Sequence, residues 1–210
     1  MELSQLEITG SRALNLESFT AEDWAIWERL PQEYRDFLTK HNGGLVDSDK
    51  ACFATKIQRV HEGKVYDNAT NAVEELWCFL SYQNGQPTED KPTSLLHEHF
   101  DRHMGEDFLP DGVYVIGRCI QDSLMCLSVN ETDYGAIYYW EWYWQYPWYK
   151  EFFEHRVEAV NATYPDAKAA LDDENSPRYQ EVVDAFNYAT LVKINNSFNG
   201  FIGSLFEEAE

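Results

Sequence analysis

The chain has 210 residues, 44% of them apolar, and sets 16 Lys and Arg against 37 Asp and Glu, for a formal net charge of −21. That length and apolar content suit one packed core and exclude a disordered chain, and no run of about 18 apolar residues is present to span a membrane. So acidic a surface repels phosphate backbones and anionic lipid headgroups, which argues against nucleic acid and membrane as partners, and it favours encounter with a basic protein.

The opening MELSQLEITG has neither the basic nor the apolar region of a signal peptide, so a cytoplasmic location is expected. Thr20, followed by Glu22 and Asp23, predicts a helix start, with the hydroxyl as cap and acids where the helix dipole favours them. Trp24 and Trp27 then fall three apart on one face. Pro31 suits the first position of a second helix, where a missing N–H costs nothing, and Tyr34, Phe37 and Leu38 give it one buried face. Asn42, Gly43 and Gly44 come where that helix should end. Glycine closes helices in the left-handed conformation, whereas a phosphate loop needs its glycines before a helix. The pair is therefore read as a cap.

Five segments then read as strands, being rich in Val, Ile, Tyr, Phe and Trp: Ala51 to Ile57, Leu76 to Tyr82, Val113 to Gly117, Leu124 to Val129 and Ala136 to Trp142. The polar stretch from Asn84 to Asp111 is expected to be a loop with one helix near Leu95 to Met104. Further helices are expected over Tyr149 to Val160, after Ser176-Pro177, and through Phe198, Phe201, Ile202, Leu205 and Phe206, which follow helical spacing. Helices at both ends and strands between them predict an α+β domain, 1–210, with a central, mostly antiparallel sheet.

Several clusters are candidates for chemistry. His97, His99 and His103 lie in HEHFDRHMGED, and on a helix His99 and His103 stand one turn apart, within reach of a shared metal. The spacing is not H-E-x-x-H, so a polar surface helix is the plainer reading and no metal is expected. Cys52, Cys78, Cys119 and Cys126 are widely spaced among apolar neighbours and read as buried free thiols, ahead of a disulfide framework or a zinc site. No nucleophile elbow, Walker motif or dinucleotide fingerprint occurs, so neither catalysis nor a cofactor is expected. YYWEWYWQYPWY, 138–149, holds nine Tyr or Trp in twelve residues. Tyr and Trp favour binding hot spots, a sugar-stacking platform is a second reading, and packing onto the sheet is a third. Glu141, Trp142, Trp144, Tyr146 and Trp148 are the candidate partner contacts.

Three blocks in order, LPQEYRDFLTKHNGG (30–44), LPDGVYVIGRCIQDSLMCLSVNETDYGAIYYW (109–140) and KINNSFNGFIGSLFEE (193–208), together resemble the SUKH superfamily. That superfamily includes bacterial immunity proteins and fungal cell-wall-synthesis regulators. The chain departs from its pattern at Arg118 to Ser123, where a glycine-rich turn is usual, and 143–189 looks like an insertion. The resemblance implies one α+β domain, a sheet flanked by helices, and no catalytic residues. It implies binding to a toxin domain, many of which are basic nucleases, or else a regulatory scaffold role like that of the fungal members.

Overall fold

The computed structural model describes residues 5–11, 13–57, 60–61, 64–65, 70–82, 109–120, 123–141, 157–158 and 160–207. The chain enters through β1 (Ile8–Thr9) and reaches α1 (Ala21–Arg29). Thr20 caps α1 as expected and forms a reciprocal box: its hydroxyl accepts the Asp23 N–H at 3.2 Å, and Asp23 Oδ2 accepts the Thr20 N–H at 2.7 Å. Trp24 and Trp27 both meet Phe19, at 5.3 and 5.6 Å, but Trp27 is buried while Trp24 stays 40% exposed.

α2 (Gln32–Lys40) begins one residue later than expected. Pro31 is its cap rather than its first residue, because its ψ of 141° is extended while its carbonyl already accepts the N–H groups of Tyr34 and Arg35. Tyr34, Phe37 and Leu38 are buried, as their spacing predicts. The turn after the helix divides its work. Asn42, with φ 41°, takes the first left-handed position, and its Oδ1 accepts the buried Tyr82 N–H at 2.7 Å. The glycines let the backbone pass close to its neighbours. A Cβ on Gly43 would lie 2.7 Å from the Ser81 nitrogen, and one on Gly44 would lie 2.7 Å from both the Ile8 side chain and the Thr9 carbonyl.

β2 (Gly44–Val46), β3 (Cys52–Ile57), a two-residue pair β4 (Val60–His61) and β5 (Lys64–Val65), and the ten-residue β6 (Thr70–Phe79) follow. β3 lies antiparallel to the first part of β6 and β2 to its end. From there β7 (Val113–Cys119), β8 (Leu124–Ser128) and β9 (Ile137–Trp140) extend the sheet as an antiparallel meander. Two short helices, α3 (Ala167–Leu171) and α4 (Tyr179–Tyr188), precede β10 (Leu191–Asn195), which pairs antiparallel with β9. The order is β1-β2-β6-β7-β8-β9-β10, with β3 also on β6. The α+β architecture around an antiparallel sheet is thus as expected, whereas β1, β2 and β10 had no clear pattern in the sequence.

α5 (Phe198–Ser204) closes the described chain. It stops before Phe206, to which the apolar spacing had carried it. Leu205 turns extended, with ψ 145°, and Phe206 exchanges both backbone hydrogen bonds with Cys52, each 3.0 Å. The expected helices at 95–104 and over most of 149–160 lie outside the described residues.

The central strands β8 and β9 are buried on both faces, while Leu45 of β2 and Val73 and Trp77 of β6 stay exposed. Phe79 meets Phe37 at 4.6 Å and Phe198 at 5.8 Å, so α2 and α5 sit on one side; Tyr139 on that face meets Phe53 at 5.8 Å. Tyr138 points the other way and meets Tyr188 at the end of α4, at 6.3 Å. Every residue of β8 and β9 is buried, which is why both strands read as continuous apolar runs. A smaller cluster of Val157, Val160, Ala167, Ala170, Val182 and Phe186 packs α3 and α4 together, within 143–189. Cys52, Cys78, Cys119 and Cys126 are all buried thiols that form no disulfide.

Candidate functional site

The aromatic stretch splits at the end of β9. Tyr138, Tyr139 and Trp140 are core residues facing the two sides of the sheet, so the first part of the segment is used in packing. Glu141 follows them and is only 7% exposed. Trp142, Trp144, Tyr146 and Trp148 lie outside the described residues, as do His97, His99 and His103. Among the described residues no three His, Cys, Asp or Glu side chains gather as a metal site would require. Burial pushes the thiols of Cys119 and Cys126 well up from their ordinary pKa, so both stay protonated and poorly nucleophilic. No helix among the described residues is long and apolar enough to cross a membrane.

A surface cleft of about 500 Å³ lies elsewhere, lined by Pro31, Gln32, Glu33, Asp36, Tyr134, Gly135, Asn196 and Ser197. Its walls come from the start of α2, the turn between β8 and β9, and the start of α5, so each of the three sequence blocks contributes to it. Two hydrogen-bond systems hold these walls in place. Glu33 Oε1 accepts the Phe198 N–H at 2.5 Å and so ties α2 to the first turn of α5, where Ser197 Oγ caps the Gly200 N–H at 3.0 Å.

The turn is braced from within. Asp133 accepts the Ser128 hydroxyl at 2.5 Å through Oδ1 and the Tyr138 hydroxyl at 2.6 Å through Oδ2. Asn130 donates to the Asp111 carbonyl at 2.7 Å and to the Tyr188 hydroxyl at 2.6 Å. Burial, then the bond to Asp133, pushes the Tyr138 phenol up, so it stays neutral and keeps donating. On this fixed turn Tyr134 is 51% exposed, the most open of the large apolar side chains described. Gln32 Nε2 donates to Asp36 Oδ1 at 2.7 Å, and Arg35 Nη2 turns to Gln32 Oε1 at 2.8 Å. Among the described residues no lining residue is basic. Sequence reasoning passed over Glu33, Asp36 and Tyr134. Their one signal was an aromatic residue next to the glycine of a turn, at Tyr134-Gly135.

These observations define a class: an α+β domain on an antiparallel sheet, with α2 and α5 on one face and its sequence motifs meeting at one surface cleft. The model of the SMI1 / KNR4 family (SUKH-1) matches residues 26–166, well over half of the chain, and the chain belongs to that family. The match takes in the first two sequence blocks and stops short of β10 and α5. Neither the curated proteins nor the solved structures contain a match to the chain.

Proposed function

We propose that the chain is a non-catalytic protein-binding domain that neutralises a cognate toxin domain by stoichiometric binding. The observation that carries this is the charge: a member of the SUKH-1 family with 37 acidic against 16 basic residues is suited to a basic partner. A nuclease toxin is basic where it holds nucleic acid, and an acidic surface covering that site would stand in for the phosphates. Carboxylates would steer the encounter, and aromatic anchors, including Trp142, Trp144, Tyr146 and Trp148, would supply the desolvated contact.

The test is capture from the source organism's lysate at low salt, followed by salt elution. Support requires a basic captured protein whose toxic activity stops when one equivalent of this chain is added. Added salt should weaken that complex through slower association, because exposed charges are screened beyond about 10 Å at 0.1 M ionic strength. Recovery of cell-wall or signalling proteins in its place would favour the regulatory scaffold.

A further inference from the structure

We propose that the cleft between α2, the β8–β9 turn and α5 is a socket for an arginine side chain of the basic partner, an inference that rests on the reading of that partner as basic. Three features favour a guanidinium. The ring of Tyr134 is exposed on a braced turn, and a flat cation stacks on such a face. Glu33 and Asp36 each use one carboxylate oxygen in the contacts above, leaving the other for a charge-assisted bond. Among the described residues the lining carries no cation, and Arg35 beside it is engaged with Gln32.

An anion is the less suitable guest. The start of α2 attracts negative charge, but Glu33 in its first turn already supplies it. Lysine meets the charge requirement without the stacking or the fork geometry, so arginine is the better fit. Pro31 and Gly135 close the cleft near one another, with a Cβ on Gly135 falling 3.7 Å from the proline Cγ.

The experiment titrates the full chain at low salt with hexa-arginine, hexa-lysine and hexa-glutamate peptides, blocked at both ends, and follows backbone amides by NMR. Hexa-arginine should saturably shift the amides of Gln32, Gly135, Ser197 and Phe198, the last because its N–H reports on Glu33. Hexa-lysine should bind more weakly, and hexa-glutamate should not bind. The double variant Tyr134→Ala with Asp36→Asn, both at exposed positions, should weaken hexa-arginine binding about tenfold with an unchanged unfolding midpoint. Tyr134→Phe keeps the ring and should retain the affinity.

If hexa-arginine binds but leaves those four amides unmoved, or binds the double variant equally well, the socket is wrong while the basic-partner reading stands. Equal affinity for hexa-lysine overturns the choice of arginine. Absence of hexa-arginine binding also overturns the socket, and the capture experiment then decides the basic partner by itself.

Discussion

Asn42 allows two backbone costs to be separated by two substitutions. Its Oδ1 is the acceptor for the buried Tyr82 N–H, and its own φ of 41° is left-handed. Asn42→Ala strands a buried donor, at about 1–3 kcal/mol, and holds alanine in a conformation costing about 1–2 kcal/mol more. Part of this is recovered, because Asn42 Nδ2 is itself buried with no partner among the described residues. The net is about 3 kcal/mol for Asn42→Ala and about 1.5 kcal/mol for Asn42→Gly, which keeps only the lost bond. In a domain of this size those losses lower Tm by roughly 9 °C and 4 °C. Urea unfolding followed by tryptophan fluorescence should move both midpoints at constant m. A glycine variant as stable as the parent would refute the buried bond. An alanine variant no worse than the glycine one would refute the left-handed cost.

Phe37→Ala should cost about 3–5 kcal/mol, since the ring packs against Tyr34, Phe79 and Phe198, and a thermal scan would show it. A thiol reagent should titrate none of the four cysteines in the native protein and all four in denaturant; rapid native labelling would contradict their burial. Burial first, and Lys40 second, hold the His41 imidazole below its ordinary pKa of 6.5. The unfolded chain therefore binds the extra proton first. His41 contributes stability that is fully present above 6.5 and is lost as pH falls through its lower folded value. His41→Gln should remove that part of the acid slope, read as the Tm difference between the two proteins at several pH values. Thr20→Ala opens the α1 capping box and should cost about 1 kcal/mol, measurable as a shifted urea midpoint.

Much of this protein is local and could be read residue by residue. Thr20 and Asp23 form a capping box because their spacing is enough to close one, and α2 buries Tyr34, Phe37 and Leu38 because helical periodicity places them on one side. The continuous apolar runs of β8 and β9 already require cover on both faces. The charge of −21 belongs to the composition and needs no fold.

What the chain order could not supply are the contacts between distant segments. β10 carries too little apolar alternation to declare itself and exists because β9 offers it an edge. The end of α5 is decided by Cys52, far back in the chain, whose backbone takes Phe206 out of the helix. Asn42 marks a helix end in any reading, but only packing reveals that its amide reaches Tyr82. The cleft is of the same kind. Glu33, Tyr134 and Ser197 sit in separate blocks, and a concave surface arises only when the sheet and two helix starts bring them together. Local spacing determines the elements, because their hydrogen bonds close within a few residues; shape and site wait on tertiary structure, because their contacts close across the whole chain.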